Sequence, residues 1–227
     1  MQTNWQQTTV VVPCYNEAPR LPKVLTVLRE ISALAEIIVV DDGSQDETAL
    51  VAARWLRPQD KLLQIPFNRG KGNALWQGIL TARSPWVVFV DADLQGLSPS
   101  HLRRLCEPVW RGHAEMSVAT LGERFWWLRW IRYLGGVLSG QRCMPRELAL
   151  SALKCFSGTG YGVEIELTFY ARAHQWRITN LLWHGVTHQV KEVKYGWREG
   201  VKWQGVALAQ MGMAFARVLT HRWFEKK

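Results

Sequence analysis

Two carboxylates one residue apart, Asp91 and Asp93, close a run of large apolar residues, Trp86-Val87-Val88-Phe89-Val90. Such a run reads as a buried strand, and a carboxylate left at its end without a partner would be costly. A hard divalent cation is a suitable partner, since Mg²⁺ typically takes one or two carboxylates and completes its shell with phosphate oxygens. A solvated turn after an edge strand would need no ion, so the Asp-x-Asp pair alone leaves both readings open. Lys71, in Asn68-Arg69-Gly70-Lys71-Gly72, adds a compact positive charge at the start of a helix. It could approach a phosphate or remain a solvated lysine.

The elements that must position these groups alternate. Thr8 to Val12 is a β-branched run stopped by Pro13, and Leu21, Val24, Leu25, Leu28 and Ile31 recur at helical spacing. Ile37 to Val40 is a second apolar run, and Ser44-Gln45-Asp46-Glu47 has the capping-box pattern that opens a helix. A strand over Lys61 to Ile65, a helix through Ala82 and the strand Trp86 to Val90 follow. Four strand–helix alternations in about ninety residues predict a parallel sheet with right-handed crossovers, whose ligands lie beyond the carboxyl ends of the strands. Three polar clusters fall there: Tyr15-Asn16-Glu17, Asp41-Asp42 and Asp91-Ala92-Asp93. Further along, the spacing predicts helices over Pro99–Trp110 and Val163–Ala173 and strands over Glu115–Thr120 and Arg177–Trp183. Residues 124–138 have helical apolar spacing, and Lys202–Lys227 reads as a basic amphipathic helix.

Composition narrows the class. The chain has 227 residues and 48% hydrophobic content, enough for a real core and suited to one α/β domain. Cys14, Cys106, Cys143 and Cys155 form no Cys-x-x-Cys pair, which argues against a zinc ribbon or a disulfide framework and suits a reducing compartment. Met1-Gln2-Thr3-Asn4 lacks the basic-then-apolar pattern of a secretory signal, so a cytoplasmic protein is expected. No run of about 18 apolar residues predicts a membrane span. A net charge of +9 implies an anionic partner: a phosphorylated substrate, lipid headgroups or nucleic acid. Thirteen tryptophans, several beside basic residues as in Arg124-Phe125-Trp126-Trp127-Leu128-Arg129-Trp130, suit a membrane interface, base stacking or an ordinary core with a basic rim. No Gly-x-Gly-x-x-Gly follows the first strand, and Gly70-Lys71-Gly72 lacks the rest of a P-loop, so a nucleotide would be bound by another route.

Taken together, Val11-Val12-Pro13-Cys14-Tyr15-Asn16-Glu17, Val39-Val40-Asp41-Asp42-Gly43-Ser44-Gln45-Asp46-Glu47-Thr48, Asn68-Arg69-Gly70-Lys71-Gly72-Asn73-Ala74 and Asp91-Ala92-Asp93-Leu94-Gln95 stand in register. As a set they resemble the nucleotide-sugar half of family 2 glycosyltransferases, especially the dolichyl-phosphate mannosyltransferase branch. The resemblance implies a single-domain glycosyltransferase A-type fold, an α/β architecture with a mostly parallel central sheet flanked by helices. Residues 1–98 would form the nucleotide-sugar half and 99–227 the acceptor half. It further implies Mg²⁺ or Mn²⁺ held by Asp91 and Asp93. A UDP- or GDP-linked sugar would lie against Pro13, Tyr15, Asn16, Glu17, Asp41, Asp42, Lys71, Asp91 and Ala92. Asp93, Lys71 and Glu164 would be the catalytic residues.

The second half is similar to glucosyl-3-phosphoglycerate synthases as much as to the lipid-phosphate enzymes. Gly160-Tyr161-Gly162-Val163-Glu164-Ile165-Glu166 followed by Gly185-Val186-Thr187-His188 matches their acceptor-side motifs. By that likeness His188 is a third metal ligand and Tyr161, Arg124 and Arg142 meet a phosphorylated acceptor, while helix geometry lets only one of Glu164 and Glu166 face the site, with Glu164 favoured. Val190 departs from the phosphoglycerate pattern, and Gly122-Glu123-Arg124 keeps only the ends of a Gly-Ser-Arg motif seen in the lipid-phosphate enzymes. Ser139-Gly140-Gln141-Arg142 occupies a loop near the acceptor in both groups. The expected activity is hexose transfer to a polyprenyl phosphate or a small phosphometabolite such as phosphoglycerate. Expected partners exclude nucleic acid and leave both a second copy of the chain and contact with the inner face of the membrane open. The competing reading is a non-catalytic basic, Trp-rich protein that binds membrane or nucleic acid. A sugar nucleotidyltransferase would want a Gly-rich basic loop where Pro13-Cys14-Tyr15-Asn16 stands.

Overall fold

A computed structural model describes residues 4–122, 139–155 and 162–188. Arg124, Tyr161, Val190, the tryptophan-rich 124–138 stretch and the basic 202–227 tail lie outside them.

The chain opens with strand β1 (Thr8–Cys14), helix α1 (Leu21–Glu30), β2 (Glu36–Asp41), α2 (Thr48–Trp55), β3 (Lys61–Gln64), α3 (Lys71–Thr81) and β4 (Trp86–Phe89). Then come a short β5 (Leu94–Gln95), α4 (Pro99–Trp110), β6 (Met116–Gly122), β7 (Arg142–Pro145), α5 (Arg146–Leu153), α6 (Val163–Ala173), β8 (Ile178–His184) and β9 (Thr187–His188). Seven strands form one sheet in the order β3-β2-β1-β4-β7-β6-β8. The neighbours are parallel from β3 through β4, and β6 and β8 are parallel to each other. β7 alone runs against both its neighbours, β4 and β6. The result is the mostly parallel α/β sheet expected, with one reversed strand at its centre.

Apolar content explains the layering. β1 and β2 are buried almost throughout because both faces of the sheet are covered. Side chains alternate across a strand, so Val10 and Val12 join one apolar layer and Val11 the other. The first layer takes Leu21, Leu25 and Leu28 of α1 and Leu102 and Leu105 of α4. The second takes Leu75 and Ile79 of α3, Ala149 of α5 and Leu167 of α6. Each fully buried leucine contributes about 1.5–3 kcal/mol relative to exposure.

Two local expectations differ from the structure. α2 begins at Thr48, and Ser44 does not cap it; the Ser44 hydroxyl instead accepts the Asn16 N–H at 2.9 Å. The Thr48 N–H goes to Asp46 Oδ1 at 3.0 Å. A serine between two loops that must stay together is more useful as a cross-link than as a cap. The second difference is Arg142, which was expected in the Ser139–Arg142 loop and instead opens the buried strand β7, while 139–141 remain a loop.

Candidate active site

The loops leaving β1 and β2 are stapled side by side. Gln45 N–H donates to Asn16 Oδ1 at 2.8 Å, and Glu17 N–H donates to Thr48 Oγ1 at 2.8 Å. Asn16 holds a left-handed backbone at φ 54°, which asparagine tolerates better than most residues. Asp41 accepts the Ser44 N–H at 3.0 Å. Asp42 accepts Arg69 N–H at 3.0 Å and Gly70 N–H at 2.7 Å, so its carboxylate pins the loop that starts α3. Burial holds the Asp42 carboxyl above its usual range, against those two N–H groups and with help from the Asp41 charge. Burial and then the acidic neighbours Asp41, Glu17, Asp46 and Asp42 push the Cys14 thiol well up, leaving it inert. Glu17 pairs with Arg20 at 3.0 Å, Tyr15 is half-buried, and Pro13 lies within β1.

Beyond β4, Asp91 and Asp93 flank the buried Ala92 and meet a histidine from far along the chain. His188 Nδ1 lies 2.9 Å from Asp93 Oδ1, across 95 residues of sequence, and His188 Nε2 lies 3.9 Å from Asp91 Oδ2. What brings His188 there is the antiparallel pair β5–β9, with Leu94 opposite His188 and Gln95 opposite Thr187. That pairing depends on Gly96, at φ +72°, where a Cβ would stand 2.0 Å from the Gly185 carbonyl oxygen. Burial lowers the His188 pKa, but the Asp93 hydrogen bond and the charges of Asp91 and Asp93 outweigh it, so the imidazole lies above its ordinary range.

Lys71 is no solvated helix-start lysine. Its Nζ sits 2.6 Å from Asp91 Oδ1 and 2.6 Å from Glu164 Oε1, bridging the sheet end to the first turn of α6. Burial opposes its charge, yet the two carboxylates hold the ammonium above the ordinary lysine range. Glu164 Oε2 has no hydrogen-bond partner among the described residues. Glu164, not Glu166, is the one that touches Lys71.

Arg142, expected at a phosphorylated acceptor, turns its side chain inward and is only 1% exposed. Nε donates to the Ser139 carbonyl and Nη2 to the Glu164 carbonyl, each at 2.9 Å. Burial drives the Arg142 pKa down to about 10, against the nearby Glu164 and Asp91 charges. A guanidinium turned inward onto backbone carbonyls is a strut between β7 and α6. The neighbouring Gln141, which sequence reasoning grouped with the acceptor loop, donates from Nε2 to Asp91 Oδ2 at 2.9 Å. Only its place in the polar Ser139–Arg142 run pointed to it.

The donor set fits a hard divalent cation. Asp91, Asp93 and His188 each offer a ligand atom, all within 4.8 Å of one another, so a small inward shift brings them within the span of about 4.2 Å that two bonds of about 2.1 Å allow. Three carboxylates, Asp91, Asp93 and Glu164, face the centre against two fixed cations, the Lys71 ammonium and the buried Arg142 guanidinium, which leaves a net negative charge. A pocket with that excess of negative charge repels a diphosphate unless a cation joins it.

An α/β sheet of this order, with acidic clusters at the carboxyl ends of its parallel strands, defines a nucleotide-diphospho-sugar transferase-like protein of the glycosyltransferase A type. The model of glycosyl transferase family 2 matches residues 9–179, and the chain belongs to that family. Among curated relatives, human dolichyl-phosphate beta-glucosyltransferase is 41% identical over 101 residues, covering 39% of this chain and 31% of the human one. The Dictyostelium discoideum protein of the same name is 38% identical over 98 residues, 37% of this chain and 30% of its own. The chain thus spans about a third of the length of these relatives. Glucosyl-3-phosphoglycerate synthase from Mycobacterium tuberculosis, solved with Mn²⁺, UDP and glucosyl-3-phosphoglycerate, is similar at a TM-score of 0.66. Identity is 22%, over 91% of this chain and 80% of that one. The same synthase solved with Mg²⁺ and UDP also gives 0.66, at 24% identity.

Among the described residues no helix is long and apolar enough to cross a membrane.

Proposed function

We propose that the protein transfers a hexose from a UDP- or GDP-linked sugar to a phosphorylated acceptor and depends on Mg²⁺ or Mn²⁺. One observation carries this reading: Asp91, Asp93 and His188 converge on one point at the carboxyl end of the sheet, with Lys71 and Glu164 beside it. Held by those three ligands, a divalent cation would supply positive charge next to the departing nucleotide diphosphate. The stapled loops after β1 and β2, with Glu17, Asp41 and Asp42, form the wall for base and ribose. Lys71 presents its charge to the diphosphate or the sugar. Glu164 orients a sugar or acceptor hydroxyl, or takes a proton from the acceptor if the reaction inverts. In the transfer, the bond from the anomeric carbon to the diphosphate oxygen breaks as a bond to the acceptor oxygen forms.

The names of the curated relatives support a polyprenyl phosphate as acceptor and glucose as the sugar, and the net charge of +9 supports an anionic membrane surface. A soluble phosphometabolite such as phosphoglycerate is the alternative acceptor. The test is nucleotide release from a panel of UDP- and GDP-sugars with Mn²⁺, with and without a short-chain polyprenyl phosphate or phosphoglycerate. Release that an acceptor stimulates and that Asp93→Ala abolishes supports the reading and names both substrates. No metal-dependent release from any sugar nucleotide overturns it.

A further inference from the structure

The geometry points to Gln141 as a positioning residue that orients Asp91 for the cation; this rests on the metal-dependent reading above. β7 pairs with β4 in antiparallel register, Phe89 opposite Arg142. Extended by two residues, that register sets Gly140 opposite Asp91, with Gln141 next to it. Gly140 is where side-chain space runs out: a Cβ there would lie 2.5 Å from Lys71 Nζ and 2.7 Å from Asp91 Oδ2. The chain therefore passes against the carboxylate with bare backbone and reaches it with the next side chain.

Gln141 is fully buried, and its amide nitrogen donates to Asp91 Oδ2 at 2.9 Å. An ionised carboxylate oxygen only accepts, so the amide turns its Nε2 end to Asp91 and its oxygen toward Ser139, whose hydroxyl donates chiefly to the Ala119 carbonyl. Lys71 takes the other oxygen, Asp91 Oδ1. Both oxygens of Asp91 are thus oriented by groups from two different elements before any ion arrives. The oxygen Gln141 holds is the one 3.9 Å from His188 Nε2, on the side where the three ligands converge. A carboxylate oxygen that accepts one hydrogen bond keeps a second lone pair for a cation. Arg142, the next residue, anchors the chain beside Gln141 on the Glu164 and Ser139 carbonyls. Groups that orient metal ligands in this way typically change metal affinity by about 10–100-fold when removed.

The experiment is Mn²⁺ titration by calorimetry on the full chain, native and Gln141→Met, with Asp91→Asn as the control for the site itself. Methionine keeps the length and loses the donor. The expected result is Mn²⁺ affinity about 10–100-fold weaker in folded Gln141→Met, with nucleotide release recovering toward native turnover once Mn²⁺ saturates. A purely structural role would lower the unfolding temperature and leave the affinity of the folded variant unchanged. Gln141→Leu, which also lacks the donor, replaces the methionine variant if that fails to fold. Native uptake of Mn²⁺ that Asp91→Asn abolishes but neither Gln141 variant weakens overturns this inference alone. No uptake by the native chain, or uptake indifferent to Asp91→Asn, overturns the metal reading along with it.

Discussion

Replacing Lys71 with methionine should weaken the free protein yet make manganese a better stabiliser of it. The ammonium lies between two carboxylates, 2.6 Å from each, with its side chain 17% exposed. At that distance and an effective dielectric of about 20, each contact is worth about 6 kcal/mol before desolvation is subtracted. Desolvation of three charged groups removes most of that gross attraction. What the variant loses is the common partner of two poorly hydrated carboxylates, a loss of about 3–5 kcal/mol. For a chain of this size that corresponds to a fall in the unfolding midpoint of roughly 6–20 °C. Mn²⁺ should then return part of the loss, because in the variant it enters a pocket whose negative charge is uncompensated. Both forms gain by mass action, about 2.7 kcal/mol at a hundredfold excess over the dissociation constant, but the native protein, with Lys71 already on Asp91, binds more weakly and so gains less at a given Mn²⁺ concentration. Thermal unfolding of both forms, in EDTA and in Mn²⁺, measures the difference. The reasoning is refuted if the variant melts within about 2 °C of the native protein in EDTA, where 3–5 kcal/mol should appear. It is refuted equally if Mn²⁺ raises the midpoint of the variant by less than it raises that of the native protein.

Two further perturbations probe the supports of the site. Gly96→Ala must move a backbone oxygen that would otherwise lie 2.0 Å from the new Cβ, at a φ of +72° unfavourable to alanine. We expect a loss of about 1–3 kcal/mol in stability and, as His188 shifts from Asp93, Mn²⁺ affinity at least about 10-fold weaker by calorimetry. At the opposite end of the sheet, Glu36 accepts from Lys61 Nζ at 2.7 Å, Thr9 Oγ1 at 2.9 Å and Arg83 N–H at 3.0 Å. Burial alone would raise the Glu36 pKa, but those three donors and the Lys61 charge hold it below its ordinary value. Its contribution is therefore complete above the unfolded carboxylate pKa of about 4.3 and is lost as pH falls through the lower folded value. Glu36→Ala should cost about 2–4 kcal/mol near neutral pH in urea unfolding, with the gap to native narrowing below about pH 4. A gap that widens on acidification contradicts the assignment.

Where local pattern decides structure, the sequence was readable. The β-branched runs around Val11, Ile38 and Val88 became β1, β2 and β4, and the helices expected over Pro99–Trp110 and Val163–Ala173 have those bounds. Each buries a stripe or a face wide enough to leave a periodic trace. β5 and β9 are two residues each, too short for any period, and exist because the Gly96–Gly185 approach lets them pair. Ser44 matched a capping box in composition, but its hydroxyl was claimed by Asn16, a partner 28 residues away. Arg142 was legible as a cation in a polar run and not as a buried strut, since nothing local shows that two carbonyls wait for its guanidinium. Asp91, Asp93 and His188 were named from motifs, whereas the fold alone brings their ligand atoms within 4.8 Å.

The single reversed strand gives the second half of the chain a further route into the site, besides Glu164 on α6 and His188 on β9. In a parallel sheet every strand brings its carboxyl end to the ligand side, so each contributes only the loop that follows it. β7 runs against β4, and its amino-terminal end arrives at the ligand side beside Asp91. Residues 139–142 therefore enter the sheet through the site before continuing into the core. Two consecutive residues of this segment reach opposite sides of the site, Gln141 touching Asp91 and Arg142 holding the Glu164 carbonyl. The carboxylate at the tip of β4 and the glutamate on α6, 73 residues later in the chain by their numbers, are thereby set at a fixed separation across Lys71. A lysine would serve poorly in the place of Arg142, because a single ammonium lacks the planar fork that reaches two carbonyls at once. An arginine would serve poorly in the place of Lys71, because Gly140 leaves room there only for a compact charge. The two cations are divided by shape: the rigid one braces the segment, and the compact one stays between the carboxylates.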